Sequence, residues 1–426
     1  MTDKELTQAM ISDYESSYHI YEKMYDYYIG KHDIVADFQN LQGKCNSKVV
    51  NNFVKKFINE EINYTLGNAL SLVSQSSSTD IISAIDSNLY HWRINHNSEV
   101  MKQLEIFGKV YLLNYIDNKG RFCERILTPK NAIAYTDDDG NVKRFIHFYK
   151  KPYDNSQWYD VYCSNGVVEI YKDDTLIKQE EHHFKGIPVS VCKMDDIHDT
   201  IYFKIKSLQD AYNLILSTQV CTIADYRNAY LVASGMDITE EDKADLKRED
   251  LINLPQGANL NWLIKEIDAS GVENTLNELK YDMYVACNHI DGNEGLPSNT
   301  SGVALRSRLV FLEQIAKSIY QLVEDAIYDR FERLFEYLDL HNNVQYDVKD
   351  IKINFTPNIP QDTMQSVQIV TQLGDKISNE TALSLLPFIE NPQDELVKIK
   401  AEQSSTSDVD VSKLVELLSN VSINNE

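Results

Sequence analysis

The chain has 426 residues, with 41 Lys+Arg against 65 Asp+Glu and a formal net charge of −24. Hydrophobic residues make up 43% and charged residues 25%, which supplies a sizeable core for about two or three domains and excludes wholesale disorder. The acidic surplus excludes a tight, phosphate-neutralising nucleic-acid binder, because such a protein needs a basic surface.

Tyr is frequent (26), while Gly (15) and Pro (9) are scarce, which favours long regular elements. The six cysteines, Cys45, Cys123, Cys163, Cys192, Cys221 and Cys287, are scattered with no C-x-x-C pair. That pattern predicts reduced thiols rather than a disulfide framework or a zinc site. The N-terminus has no basic stretch followed by an apolar one, and no run approaches the ~18 apolar residues that span a bilayer. The expectation is a soluble, intracellular protein.

Residues 1–30 predict an amphipathic helix, with Tyr14, Tyr18, Tyr21, Tyr25 and Tyr28 spaced by three and four. A second helix is predicted from Lys48 to Leu70, with Lys44, Lys48, Lys55 and Lys56 as a local basic patch, and a third over Ser98–Phe107. Strands follow at Val110–Ile116, Arg125–Leu127, Ala132–Tyr135, Arg144–Tyr149, Trp158–Cys163 and Val167–Tyr171. Asp117–Gly120, Asp139-Gly140-Asn141 and Ser164-Asn165-Gly166 supply the turns. Asp137-Asp138-Asp139-Gly140-Asn141 lacks the closing Glu of a calcium loop and reads as a solvated hairpin tip.

The second half changes character. Ser207 and Asp210 read as a capping box opening a helix to about Asn228. A short strand, Tyr230–Ala233, an acidic helix, Thr239–Asp250, and an extended stretch, Leu251–Ile264, come next. Residues 229–271 hold nine acids and four bases. Ser270 and Glu273 form a further capping box before a helix with Leu276, Leu279, Met283, Ala286 and Ile290 on one face. The polar, glycine-rich interruption Asp291–Ser301 opens into the longest helix, Val303–Leu338, roughly 54 Å of rod. This rod carries apolar residues off its main stripe, which suggests packing between subunits. A strand, Val348–Phe355, and three short helices, Thr363–Leu373, Glu380–Leu386 and Pro392–Glu402, precede a flexible linker, Gln403–Asp410, and an amphipathic tail.

Catalytic chemistry is sparse. There is no phosphate-binding G-x-x-x-x-G-K-[ST] loop, no H-E-x-x-H helix and no G-x-S-x-G elbow. His182 and His183 are adjacent, so on a strand they point to opposite faces and do not share one ion. Thr300-Ser301-Gly302 is followed by a long helix and preceded by no strand, unlike a nucleophile elbow. The residues assign no catalytic group, no metal and no cofactor.

Several stretches together resemble the portal proteins of tailed bacteriophages, of the siphophage type that infects Gram-positive hosts. They are Tyr27-Tyr28-Ile29-Gly30-Lys31-His32; Asn51-Asn52-Phe53 through Tyr64-Thr65-Leu66-Gly67; Asp225-Tyr226-Arg227-Asn228-Ala229-Tyr230-Leu231; and Asn299-Thr300-Ser301-Gly302-Val303-Ala304-Leu305. Asn379-Glu380-Thr381 through Leu385-Leu386-Pro387 is a weaker match.

The resemblance implies a helix-dominated α+β subunit of a ring of about twelve copies at one capsid vertex. It implies an α/β wing (1–202), a first stem helix (203–228), a small α/β clip (229–271), a second stem helix (272–290), a tunnel loop (291–302), the long helix with a return to the wing (303–360), a short helical crown (361–402) and a flexible tail (403–426). Double-stranded DNA would pass transiently and without sequence preference along Asn293, Asn299, Thr300 and Ser301, with Arg306 and Arg308 adding limited positive charge. Asp237, Glu240, Glu241 and Asp242 on the clip would dock the packaging ATPase (the terminase large subunit) or the head-completion adaptor. Scaffolding and major capsid proteins are the other implied partners, in the virion and, during assembly, in the host cytoplasm. For Arg306 and Arg308, salt bridges to a neighbouring subunit are an equal reading. The alternatives are an intracellular acidic helical scaffold or adaptor, and an enzyme with an unrecognised acid/base pair.

Overall fold

The computed structural model describes residues 2–37, 45–66, 70–76, 78–225, 230–235, 256–263, 269–291, 302–354, 363–386, 389 and 392–407. In chain order the first elements are α1 (Asp3–Tyr28), α2 (Asp33–Asp37), α3 (Phe53–Leu66), β1 (Ser71–Ser74), α4 (Thr79–Leu89) and α5 (His96–Phe107). Eight strands follow: β2 (Lys109–Ile116), β3 (Phe122–Leu127), β4 (Ala132–Thr136), β5 (Val142–Tyr149), β6 (Trp158–Cys163), β7 (Val167–Lys172), β8 (Thr175–Glu181) and β9 (Val189–Lys193). The remainder is α6 (Ile201–Asp225), β10 (Tyr230–Ser234), β11 (Asn259–Leu263), α7 (Ala269–Ala286), α8 (Gly302–Asn342), β12 (Ile351–Asn354), α9 (Thr363–Leu373), α10 (Asn379–Ser384) and α11 (Pro392–Ser407). This is the helix-dominated α+β class that the sequence predicts.

The chain divides into two compact units. One holds residues 1–63, 84–295 and 309–348; the other holds 64–83, 296–308 and 349–426. In the second unit β1 pairs antiparallel with β12, Ser71 opposite Asn354 and Ser74 opposite Ile351. Asp350 anchors that pair by accepting from Ser74 Oγ at 2.7 Å and from the Ser76 amide at 2.6 Å.

The first unit is built on two antiparallel sheets, one in the order β4-β5-β6-β7-β8 and one in the order β3-β2-β9. Strand alternation gives the larger sheet two different faces. One face presents Ile133, Ile146, Phe148, Tyr159, Val161 and Cys163, which pack with Met10 of α1. Tyr14 fixes that docking, stacking on Phe148 at 4.1 Å and donating to the Lys130 carbonyl at 2.6 Å. On the opposite face Phe145 packs into Tyr111, Leu113, Leu127 and Val189 of the smaller sheet. Each such side chain stabilises the fold by about 1.5–3 kcal/mol on full burial.

Helix ends follow local chemistry. Thr2 and Glu5 close a capping box on α1, the Thr2 amide donating to Glu5 Oε2 at 2.7 Å. Gly108 ends α5 at φ +72, a left-handed cap. A Cβ there would also lie 3.2 Å from Thr200 Cγ2, so both conformation and space select glycine.

Four expectations need correction. The helix predicted from Lys48 starts only at Phe53; residues 45–52 are extended because their amides bond to side chains of α6. Ser207 and Asp210 do not cap α6, which starts at Ile201 right after the turn Ile197–Asp199. The linker expected from Gln403 is helical through Ser407. The strands β1, β8 and β9 and the helix α4 were not anticipated; for β8 the reason is that the charged run Lys178–Glu181 lacks an apolar alternation. The acidic helix expected at Thr239–Asp250 lies outside the described residues.

Candidate functional site

Most of the residues expected to act lie outside the described residues: Asp237, Glu240, Glu241 and Asp242 of the acidic insert, and Asn293, Asn299, Thr300 and Ser301 of the loop. Arg306 and Arg308 fall on the first two turns of α8. What the structure brings together is the frame that carries these segments.

That frame is a helix pair. α6 has 25 residues and α7 has 18, roughly 37 and 27 Å of helix, and they pack along each other. The β10–β11 ribbon, with Tyr230 opposite Leu263, lies between them in sequence.

An extended strap, residues 47–53, is fastened to α6 by side chains alone. The Val49 amide donates to Ser217 Oγ at 3.0 Å, the Asn51 amide to Asn213 Oδ1 at 3.0 Å and the Phe53 amide to Gln209 Oε1 at 2.9 Å. Gln209 Nε2 returns a bond to the Asn51 carbonyl at 2.6 Å. The match is geometric: four residues of helix rise about 6 Å, and two residues of extended chain advance about 6.6 Å. Helix positions 209, 213 and 217 therefore meet alternate strap amides. All three side chains are fully buried, and their polar atoms are paired, as burial requires.

The Tyr27–His32 and Asn51–Phe53 segments converge on this ladder. Asn52 Nδ2 donates to the carbonyls of Tyr27 at 2.9 Å and Tyr28 at 3.0 Å, while its Oδ1 accepts from the Lys55 amide at 2.9 Å. One side chain thus closes the end of α1 and the start of α3. His32 stacks on Tyr27 at 4.5 Å. Its Nδ1 lies 2.8 Å from Asn213 Nδ2, a donor, so Nδ1 accepts and Nε2 carries the hydrogen toward the Tyr27 carbonyl at 3.1 Å. Burial lowers the His32 pKa, in keeping with this neutral ring.

Beside it, Tyr27 donates to Asp210 Oδ1 at 2.5 Å, and Lys206 bridges Asp210 at 2.7 Å and Asp33 at 2.9 Å. Burial pushes the Asp33 carboxyl up, but Lys23 and Lys206 outweigh it and hold it at about 2. Gln209, Asn213 and Ser217 were missed in the sequence. Their one signal is the i, i+4, i+8 spacing, which puts three polar residues on one face of α6; the helix carries other polar residues, so the spacing does not single them out.

At the other end of α7, His289 faces two carboxylates of α3. Nδ1 is 2.8 Å from Glu60 Oε2 and Nε2 is 2.9 Å from Glu61 Oε1. With both nitrogens on carboxylate oxygens, the ring is an imidazolium. Burial opposes that charge; the bonds to Glu60 and Glu61 overcome it and raise the pKa. Glu105 is buried nearby, and burial, then the charge of Glu61, drives its pKa well above the usual range. Among the described residues no group of three or more His, Cys, Asp or Glu is placed to hold a metal ion, and no helix is long and apolar enough to cross a membrane.

The helix pair also leaves apolar side chains in solvent. Leu214 and Ile223 on α6, Tyr281 and Val285 on α7, and Phe311 on α8 are each more than half exposed.

The portal protein of Bacillus phage SPP1 is 21% identical over 399 residues, covering 86% of this chain and 78% of that protein. Among solved structures, the virion of a native gene transfer agent particle contains a chain with a TM-score of 0.45 and 12% identity, covering 78% of this chain and 89% of that one. The neck of an empty gene transfer agent particle, computed with C6 symmetry, gives 0.46 and 12%, covering 78% and 88%. The profile of the phage portal proteins, SPP1 Gp6-like, matches residues 8–408, a span that takes in the strap, the helix pair and the long helix, and the chain belongs to that family.

Proposed function

We propose that this chain is the subunit of a ring of about twelve copies that forms the DNA channel at one capsid vertex, through which the genome is packaged and later ejected. α6 and α7 serve as the stem, residues 229–271 as the clip, 291–302 as the tunnel loop, 1–202 with the outer part of α8 as the wing, and 361–402 as the crown. One observation carries the ring. Leu214 and Ile223 lie nine positions apart, about 180° around α6, and both are exposed. A ring subunit needs an uncovered apolar surface on each side, because it has two neighbours through one heterologous contact.

DNA passes by weak contacts to Asn293, Asn299, Thr300 and Ser301, with Arg306 and Arg308 limiting repulsion. Asp237, Glu240, Glu241 and Asp242 dock the terminase large subunit or the head-completion adaptor. The subunit performs no catalysis; the ATPase supplies the work. At −24 per chain, twelve copies carry −288, which keeps a polyanion from adhering to the wall. Light scattering of the purified chain tests the ring: twelve copies of 49.0 kDa weigh 588 kDa. A monomer or a dimer at all concentrations, with no rings in electron micrographs, overturns the reading.

A further inference from the structure

We propose that the outer edge of β8, together with the cavity at its end, is a docking groove for an extended, basic segment of another protein, which adds as a sixth strand to the sheet. The proposal concerns the first unit alone and does not depend on the ring.

β8 is the last strand of its sheet, and among the described residues nothing pairs with its outer edge. All seven of its residues, Thr175–Glu181, are exposed, including Leu176 and Ile177. An open edge carries a row of unpaired amides and carbonyls, a ready template for an extended chain. The outward groups can be placed. The His182 amide donates inward to the Gly166 carbonyl at 3.0 Å; antiparallel pairing alternates, so the amides of Glu181 and Gln179 point outward.

The face of the sheet opposite α1 continues into a cavity of about 760 Å³. Its floor is the cross-strand row Tyr162–Val168–Glu180, with Asp160 opposite Ile170 beside it. Tyr337 and Leu340 from the end of α8 close the far side. The lining holds the carboxylates of Asp160, Glu180 and Glu181 and no Lys or Arg. Lys178 pairs with Glu180, but both are largely exposed, and such a pair yields readily to a competitor. The ring of His182 lines the same cavity. Asp160 also accepts from the Tyr149 hydroxyl at 3.0 Å. Apolar walls with an acidic rim suit Lys or Arg side chains, whose aliphatic stems lie on apolar surface while the charge meets carboxylates. The occupant is a segment of another protein; a second copy of this chain on the groove is an outcome of the test that overturns the proposal.

The test uses the full-length chain and a labelled nine-residue peptide of alternating Lys and Val, read by fluorescence anisotropy and by hydrogen exchange over 175–181. Binding is expected to slow exchange at Gln179 and Glu181. Gln179→Pro, which removes an outward amide and spares the β7 ladder, and Glu180→Lys/Glu181→Lys are each expected to weaken binding at least tenfold. Asp138→Lys/Asp139→Lys, an equal charge change on an exposed hairpin, is expected to leave it within twofold. Equal weakening by the hairpin variant, no protection of β8, or equal affinity for a peptide with a central proline overturns the proposal. So does crosslinking of Leu176 to a second copy of the chain.

Discussion

Arg330, on α8, forks onto Glu124, on β3: Nε donates to Oε2 at 2.9 Å and Nη2 to Oε1 at 2.7 Å. Both are buried, and neither is left short of partners. His96 Nε2 lies 2.8 Å from Glu124 Oε1, Asn114 Nδ2 donates to Oε2 at 2.9 Å, and Arg330 Nη1 donates to Asn97 Oδ1 at 2.9 Å. This cluster joins the long helix to the smaller sheet. Removing one member of such a pair strands the other charge, so Arg330→Met is expected to destabilise the first unit by about 3–5 kcal/mol, measured as a lowered urea midpoint. Burial pushes the Glu124 carboxyl up, while Arg330 and His96 overcome it and hold it at about 2. With its folded pKa depressed, Glu124 contributes about 3 kcal/mol above its ordinary value near 4.5, and that contribution is lost as pH falls toward 2. A urea midpoint insensitive to pH between 5 and 3 in the wild type, or equally sensitive in Glu124→Gln, contradicts this.

The strap ladder makes a different prediction. Asn213→Leu keeps the volume of α6 but leaves the Asn51 amide and a His32 ring nitrogen without partners. Each orphaned buried group costs about 1–3 kcal/mol. Gln209 Nε2 also touches Asn213 Oδ1 at 3.2 Å, so the two positions are coupled. The double variant Gln209→Leu/Asn213→Leu is expected to cost less than the sum of the singles. Hydrogen exchange at Asn51 and Phe53 is expected to quicken at least tenfold in either single variant; unchanged exchange argues that the strap is held by something else.

The sequence made the long elements visible because their apolar periodicity is strong: α1, α8 and strands β2 and β4–β7 lie within a few residues of expectation. It misread Lys48–Asn52 for a plain reason. Val49 and Val50 continue a helical apolar pattern, but the partners that hold these residues extended lie about 160 residues away on α6, where no local pattern points to them. The capping-box reading of Ser207 and Asp210 failed in the same way, since Asp210 is committed to Tyr27 and Lys206. Motif residues such as Tyr27, His32 and Asn52 were recognisable as a group, yet their work, joining three helices through one buried network, depends on tertiary contacts.

His289 offers a pH test near the loop. Its folded pKa is raised, so its stabilising contribution is fully present below the ordinary histidine value near 6.5 and is lost as pH rises through the raised value. Cys287, two residues away and buried, reports on the end of α7. At pH 7, His289→Ala is expected to speed maleimide labelling of Cys287 at least fivefold, mapped by mass spectrometry to separate it from the other thiols. Labelling unchanged from the wild type would falsify a role for the Glu60–His289–Glu61 contact in holding this end.

Deleting Gly292–Thr300 tests the proposed tunnel loop. The deletion spares α6, α7 and the body of α8, so rings of the wild-type mass are expected to form. Packaged or retained DNA is expected to fall at least tenfold in virions that carry the variant. Normal genome content with intact rings removes the loop from the DNA path without touching the ring itself.

The two exposed sides of α6 give the sharpest test of assembly. Leu214→Arg and Ile223→Arg alter opposite sides of one helix, and both positions are solvated in the single chain, so each variant is expected to keep the wild-type thermal unfolding of its subunit. In a ring every subunit presents both sides, and each substitution recurs at every contact. Burying an unpaired guanidinium costs several kcal/mol, so either variant alone is expected to shift the mass from 588 kDa toward 49.0 kDa. Mixing the two variants is expected to rescue dimers but not rings: a single contact can form between the two unmodified sides, and the next contact cannot. Full rings from both single variants mean that these residues face solvent in the assembly, and the subunit contacts then lie on other surfaces of α7 and α8.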